Sequence, residues 1–273
     1  MIESARMPGV ARQIFRFRGL LATLTARELK ARYRGSVLGF LWSLANPLLL
    51  LAIYTFVFNV IFKPRVPGIE PYALFVVCGL FPWIWLATSA LEGSMSLIAN
   101  SGLIRKAVFP AELLPMVSVL ANGVHLLLAL PILIAGLITA RLLHYPVGGP
   151  SALLLPAVLL LQLPMVAGLA VGAAALTVYF KDVRDLLANL LNLLFFVTPI
   201  LYSLNSLAGR PLFWWLVRLS PFTPFTTAYQ QILFFGQLPT PSMWIQMALV
   251  SLAAWGLGAG IFARLRENLV ETA

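Results

Sequence analysis

Long apolar runs constrain this chain of 273 residues more than any other feature. Each run holds about 20 or more mostly apolar residues, the length that an α-helix needs to cross a bilayer. Because backbone polar groups in hydrocarbon must find partners within their own segment, the runs predict an all-α polytopic membrane protein with six transmembrane helices. The predicted spans are Val37–Phe62, Tyr72–Ile98, Leu113–Ala140, Ser151–Phe180, Leu186–Leu204 and Met243–Phe262.

Composition excludes an ordinary soluble domain. Apolar residues make up 60% of the chain and charged residues only 10%, with a mean hydropathy of +0.92. A soluble protein of this length needs more polar surface to cover its core. The net charge of +10 could suggest a nucleic-acid partner. The basic residues flank the apolar runs, however, so we expect membrane lipids as partners and no nucleic acid.

The same basic residues predict the orientation. If the N-terminus is cytoplasmic, 14 of the 19 Lys and Arg residues fall on the cytoplasmic side and five fall outside. The positive-inside rule therefore favours a multi-pass protein of the cell inner (cytoplasmic) membrane with both termini in the cytoplasm. The five outer residues are Lys63, Arg65, Arg141, Arg210 and Arg218.

Two domains are expected, a cytoplasmic basic amphipathic arm over residues 1–36 and a single transmembrane domain over residues 37–273. In the arm, Ile14, Phe17, Leu21 and Leu24 recur at helical spacing, and basic residues fall on the opposite side. This pattern is typical of a helix that lies along the inner membrane surface. The alternative is a basic tail that only sets the topology.

Residues 205–242 do not read as a span. They contain two short apolar stretches, Leu212–Leu219 and Phe222–Phe235, which are broken by prolines and Gly236. Neither stretch crosses a bilayer easily, so a re-entrant or interfacial segment before the last span is expected. A packed outer loop is an equal alternative.

The chain carries no recognisable catalytic machinery. It has no G-x-x-x-x-G-K-[ST] phosphate loop and no G-x-S-x-G motif, and neither of its two histidines has metal-ligand spacing. Its single cysteine, Cys78, lies in an apolar run and is expected to be a buried side chain. Glu92 is the one clear acid within a predicted span. It is expected to pair with Arg105 or Lys106 or to reach headgroup water; a proton site is the alternative.

Three local patterns stand out. In Arg27–Phe62, a cationic cluster leads through Gly35 into the first span, and it could hold anionic head groups or an anionic lipid substrate. The cluster consists of Arg27, Lys30, Arg32 and Arg34. Asn100–Pro115 is a short cytoplasmic loop with an apolar ridge, which is either a docking surface or a turn that dips into the membrane. Tyr179–Tyr202 begins with a charged inner loop, and its Thr198 and Pro199 are expected towards the outer end of a span.

Aromatic side chains near the first span are candidates for contact with carbohydrate, because sugar C–H faces stack on rings. Packing between helices or contact with lipid is the alternative for each of them. The candidates are Tyr33, Trp42, Tyr54, Phe56 and Phe58.

Together the three patterns resemble the membrane-spanning subunit of ABC transporters that export polysaccharides, in the O-antigen and teichoic-acid group. The similarity runs from about Arg27 to Arg266 and depends most on Arg32–Trp42 and on the loop from Asn100 to Pro110. The resemblance implies a homodimeric permease and no enzymatic activity of its own. Two separate ATP-binding cassette subunits would carry ATP and Mg, with no cofactor in this chain, and the cargo would be a lipid-linked glycan.

The resemblance also implies roles for particular residues. The cationic cluster would meet the pyrophosphate of the cargo, and short gate helices would lie on the outer side between about Tyr202 and Phe225. The gate candidates are Pro199, Tyr202, Pro221 and Phe222. The loop that couples to the ATPase would contain Asn100, Leu103, Ile104, Arg105, Lys106, Phe109 and Pro110.

Other functions remain as alternatives. An ABC permease for a drug or another lipid would share the layout but often lacks the basic approach to the first span. A secondary carrier or channel would predict inverted repeats and charges within the spans, and the sequence has neither feature. An intramembrane enzyme fits least.

Overall fold

The computed structural model describes residues 9–62, 66, 68–106, 110–207 and 209–272. These residues form helices, turns and irregular segments, with no strand among them. Two of the helices continue as π-helical turns, α3 through Val57–Phe62 and α10 through Gln230–Phe235. The helices are α1 (Val10–Arg16), α2 (Arg18–Arg32), α3 (Trp42–Phe56), α4 (Tyr72–Ala99), α5 (Ser101–Lys106), α6 (Leu113–Leu142), α7 (Leu155–Tyr179), α8 (Val183–Val197), α9 (Pro211–Leu219), α10 (Thr223–Tyr229) and α11 (Pro241–Thr272).

Five helical segments are long and apolar enough to cross a bilayer, which confirms five of the six predicted spans. Their apolar residues are not confined to one stripe, as expected of helices that face both protein and lipid. The five segments are Gly39–Phe62, Tyr72–Ala99, Leu113–Leu142, Pro150–Tyr179 and Pro241–Arg266.

The predicted span Leu186–Leu204 is not one continuous helix. Helix α8 has only 15 residues and ends at Val197. Thr198 then takes an extended conformation (φ −77°, ψ 138°), because the ring of Pro199 disfavours helical geometry in the residue before it. The six-helix prediction is therefore not confirmed in its fifth member.

Helix α4 is the centre of the bundle, and α6, α7 and α8 pack around it. Its side chains are mostly buried, whereas those of α3 mostly face outward. We call the end of α4 at Ala99 the arm end, because the N-terminal helices pack there, and the end at Tyr72 the far end. Helices α7 and α11 form the most extensive helix pair.

The arm is helical, as predicted, but its apolar face packs against protein. Leu21 and Leu24 of α2 are buried in a cluster with Leu97 of α4 and Leu113 of α6. Ile14 and Phe17 are partly buried against the same cluster, which extends the contact into α1. Burial of this face fixes the arm to the bundle at the start of α6.

The segment before the last span dips into the bundle. Phe222 packs edge-on against Trp83, and Phe234 packs against Phe75. Trp83 lies about 16 Å from the far end of α4, measured along the helix axis at a rise of about 1.5 Å per residue. The chain therefore reaches that depth in the bundle and turns back along α10. We call Phe222–Phe235 the re-entrant segment after this path through the protein.

Candidate functional site

A polar cluster joins the arm to the bundle at the arm end. Arg32, the last residue of α2, donates from Nη2 to Glu92 of α4 at 2.5 Å. Its Nη1 donates to Oδ1 of Asn122 in α6 at 2.8 Å, and its Nε donates to Glu28 at 3.3 Å. One guanidinium thus connects three helices.

Asn122 completes the cluster from the other side. Its Nδ2 donates to Glu92 at 2.7 Å, while its Oδ1 accepts from Arg32. Asn122 is buried, and a buried amide is stable only when its donors and acceptors are paired. The sequence predicts a partner for Glu92 from the loop after α4, Arg105 or Lys106, whose side chains lie outside the described residues. The described partner comes instead from the arm.

Two cavities meet at this cluster. The arm cleft, of about 460 Å³, lies between α2 and the ends of α4 and α6. The span cavity, of about 330 Å³, lies deeper, among α3, α4 and α6. Besides Arg32 and Glu92, the arm cleft is lined by Leu24, Arg27, Glu28, Met95, Ser96, Ala99, Asn100, Leu114, Val117 and Ser118. The span cavity is lined, besides the same pair, by Tyr33, Ser43, Asn46, Pro47, Leu50, Phe81, Ile84, Trp85, Thr88, Asn122, His125, Leu126 and Ala129.

Tyr33 stands at the mouth of the span cavity. Its hydroxyl lies 3.4 Å from both ring nitrogens of His125, and its ring meets Phe40 edge-on. Burial raises the pKa of the Tyr33 phenol, an effect that the neighbouring charge of Arg32 opposes. The phenol therefore stays protonated at neutral pH and can donate a hydrogen bond.

The other aromatic candidates are divided between two places. Tyr54 and Phe58 stack on each other, and Phe58 meets Tyr72 edge-on at the far end. Trp42 and Phe56 are exposed on α3. Only Tyr33 among the five candidates lines the span cavity, so the structure does not gather them into one path along the described chain.

The predicted cationic cluster is also divided. Arg32 is the member held in ion pairs, whereas Arg27, Lys30 and Arg34 have exposed side chains. Arg27 lines the arm cleft. Gly35 follows with a φ of 79°, which an L side chain rarely adopts, and it turns the chain from the arm towards α3.

The predicted coupling loop begins as the short helix α5. Leu103 packs against the apolar cluster at the arm end, and Asn100 donates to the carbonyl of Ser96 at 2.9 Å. Pro110 is buried. The side chains of Ile104, Arg105 and Lys106, and all of Phe109, lie outside the described residues.

A second ion pair lies just after this loop. Glu112 precedes the first turn of α6 and is fully buried, and its Oε1 lies 3.6 Å from Nη1 of Arg266 in α11. A carboxylate in this position also interacts favourably with the positive end of the helix dipole. The last helix is thus tied to the end of the predicted coupling loop.

The gate candidates surround the re-entrant segment. Tyr202 donates to the carbonyl of Val197 at 2.8 Å, and the carbonyl of Pro199 accepts from Gln230 at 2.9 Å. Phe222 is fully buried between Trp83 and Phe225, whereas Pro221 is exposed. Phe222 is therefore a packing residue in this conformation.

Sequence reasoning missed Asn122, His125, Glu112 and Arg266. Asn122 and His125 are three residues apart, so they share one face of an otherwise apolar helix, and that spacing was a usable signal. No local pattern links Glu112 to Arg266, because the pair is formed by packing between distant helices. In the described part of the chain, no three His, Cys, Asp or Glu side chains group as metal ligands.

Comparison with known proteins adds a family. The family described as "ABC-2 type transporter" matches residues 19–234, a range that includes the polar cluster, both cavities and the re-entrant segment.

Three relatives carry the same name, "O-antigen export system permease protein RfbA". One from Myxococcus xanthus is 36% identical over 264 residues, which cover 96% of this chain and 98% of that protein. Two from Klebsiella pneumoniae are 31% and 30% identical over 255 residues, which cover 92% of this chain and 94% of each relative. The similarity therefore extends over nearly the full length of each relative.

Proposed function

The chain belongs to the ABC-2 type transporter family, and we propose that it is the permease subunit of an ATP-driven exporter that moves a lipid-linked polysaccharide across the cytoplasmic membrane. The observation that carries this proposal is the 36% identity to an O-antigen export permease over almost the whole of both chains. An O-antigen type of glycan is the cargo we favour over a teichoic acid, because all three relatives are named for O-antigen export.

The energy source is proposed to be a separate subunit. The sequence has no phosphate-binding loop of its own, so ATP and Mg would be held by two ATP-binding cassette partners. We place their docking site on the loop Asn100–Pro110. Leu103 anchors the first helix of this loop to the apolar cluster at the arm end, and the ion pair of Glu112 with Arg266 anchors its end to α11. A movement of the ATPase at the loop would therefore be transmitted to α4, α6 and α11.

Two copies of this chain would form the passage. Within each copy, the arm cleft offers the cargo a way in from the cytoplasm. Arg27 lines the cleft and Arg32 closes its inner end, so a pyrophosphate is attracted there by about 1 kcal/mol for each basic residue near the surface. The span cavity beyond has largely apolar walls that suit the lipid part of the cargo.

Deletion of the gene for this chain from its own cell tests the function. We expect long-chain glycan to disappear from the cell surface and the lipid-linked form to accumulate inside, because synthesis continues while export stops. Restoring the gene should reverse both changes. The measurement is gel analysis of surface glycan together with extraction of the lipid-linked precursor. Normal surface glycan in the deleted strain would refute the proposal.

The proposed orientation places the arm end in the cytoplasm and gives six crossings. Helix α8 begins within the charged stretch 181–185 and ends about 13 Å, measured along the helix axis, short of the far end of α4. The turn after it brings Leu201 to Tyr72, whose hydroxyl donates to the carbonyl of Leu201. Helix α8 and this turn together would complete the fifth crossing.

Fusions to alkaline phosphatase test this orientation, because the enzyme is active only outside the cytoplasm. We expect activity when it follows Gly68 or Gly148 and no activity when it follows Arg105 or Lys181. The reason is the distribution of basic residues, 14 on the cytoplasmic side against five outside. Equal synthesis of the four fusions is the control, and the reverse pattern of activity would contradict the proposed orientation.

A further inference from the structure

We infer that Glu92 is a built-in competitor for the anion site of Arg32. Its carboxylate holds the guanidinium until a phosphate-bearing head group takes its place, and this exchange opens the route from the arm cleft to the span cavity. The inference rests on the proposed function, because it takes the cargo to be an anionic lipid. It goes further by assigning to one carboxylate the control over when the site accepts that cargo.

The first support for this inference is the position of Arg32 and Glu92 between the two cavities. Among the described residues, Arg32 and Glu92 alone line both cavities. One partner comes from the arm and the other from the central helix, 60 residues apart in the chain, and their side chains meet at 2.5 Å. The ion pair is therefore the partition between the cleft of about 460 Å³ and the cavity of about 330 Å³.

The second support is the chemistry of the guanidinium, which binds carboxylate and phosphate in the same way. A guanidinium presents its donors as a planar fork, which fits the two oxygens of a carboxylate or of a phosphate equally well. A diphosphate carries more charge than Glu92 and offers more acceptors, so it is a suitable replacement on Arg32. The Glu92 side chain is 43% exposed, so after exchange the carboxylate can be solvated by water in the cleft.

The buried amide of Asn122 gives the closed state its geometry. It accepts from Arg32 and donates to Glu92, so it aligns the two charges with each other. When an anion binds Arg32, Oδ1 of Asn122 can still accept from the guanidinium, while Nδ2 becomes free to donate to the incoming phosphate. The same three side chains thus serve both states.

The walls of the span cavity indicate the rest of the ligand. Apolar side chains line most of it, including Leu50, Ile84, Trp85 and Leu126, and Thr88 and His125 supply polar atoms. This combination suits an amphiphile whose phosphate lies at Arg32 and whose hydrocarbon chain follows the cavity. A free inorganic phosphate would use the head-group site alone.

Binding of inorganic pyrophosphate to the transporter purified from its own cells tests the competition. Glu92→Gln should tighten binding on the order of tenfold, the effect of removing one charge-assisted competitor. Arg32→Gln should remove the component of binding that belongs to this site, whereas the phosphate loops of the ATP-binding partners bind the probe equally in every variant. Glu28→Gln is the matched control. It removes the other carboxylate on the same guanidinium, one that is as exposed as Glu92 (44% against 43%) but lies on the same helix as Arg32, at 3.3 Å from its Nε, and does not line the span cavity. We therefore expect less than about a twofold change.

A labelling experiment tests the partition itself. In a Cys78→Ala background, Thr88→Cys places a thiol in the span cavity and Ser118→Cys places one in the arm cleft. A membrane-impermeant anionic thiosulfonate is added from the cytoplasmic side. With Glu92→Gln, labelling at position 88 should accelerate on the order of tenfold while labelling at position 118 keeps its rate.

The inference is overturned if Glu92→Gln leaves both pyrophosphate affinity and labelling at position 88 unchanged. It is also overturned if Glu28→Gln and Glu92→Gln have equal effects, because Arg32 would then respond to net charge alone. Neither measurement depends on glycan export. A failure here is therefore distinguishable from a failure of the proposed function, which is decided by the gene deletion.

Discussion

Replacing Gly258 by alanine should prevent the last helix from packing on α7, and little correctly folded protein should be recovered. A Cβ at Gly258 would lie 2.6 Å from the carbonyl carbon of Gly168 and 2.9 Å from its Cα. A Cβ at Gly168 would in turn lie 2.6 Å from the Cα of Trp255. The obstructing atoms belong to the backbone, so no side-chain rotation can relieve the overlap.

The expected cost is at or above the upper end of the range of about 1–3 kcal/mol for overpacked sites, because two helices must separate along their most extensive contact. Gly256→Ala and Gly260→Ala are the matched controls. They lie on the same helix, and a Cβ at either position meets nothing within 4 Å. The measurement is the fraction of protein that elutes as a single species in detergent, together with its melting temperature. Equal behaviour of all three variants would contradict the close crossing.

Charges placed in the loop Asn100–Pro110 should separate the permease from its ATPase. We expect the double change Ile104→Asp and Phe109→Asp to leave insertion intact but to abolish co-purification of the ATP-binding subunit and the export of glycan. An apolar ridge on a short loop is explained by burial against a partner, at roughly 25 cal/mol per Å2. Two unpaired carboxylates buried in that contact would weaken binding of the ATP-binding subunit by several kcal/mol.

The matched control keeps both positions apolar, as Ile104→Leu and Phe109→Leu, and should retain both the partner and export. Membrane insertion of each variant is measured by the same phosphatase fusions as the parent chain. If the aspartate variant still purifies with its ATPase and still exports glycan, the loop is only a turn between α4 and α6.

Sequence patterns predicted the five long spans because span length depends on hydropathy alone. They also predicted that the arm is helical and has an apolar face. They could not predict that Leu21 and Leu24 would pack on α4 and α6 instead of on lipid, because lipid and a buried protein face select the same side chains.

The fifth predicted span and the partner of Glu92 show two further limits of prediction from the sequence. Hydropathy averaged over Leu186–Leu204 conceals the effect of Pro199 on the residue before it, so α8 ends earlier than predicted. Arg32 was recognised as a site residue from its charge cluster. Its pairing with Glu92 joins positions 60 residues apart, and one sequence contains no signal for such a contact.

The buried hydrogen bonds of Gln162 have a consequence for synthesis of the chain. The side-chain Nε2 of Gln162 donates to the carbonyl of Pro82 in α4, a helix that is synthesised before α7. Its Oε1 accepts from the hydroxyl of Tyr229, which is synthesised 67 residues later. At a synthesis rate of about 5–20 residues per second, Oε1 of Gln162 remains without this partner in the bilayer for on the order of several seconds. The wait sets an order of assembly in which α7 joins α4 first, the re-entrant segment follows, and α11 packs on α7 last.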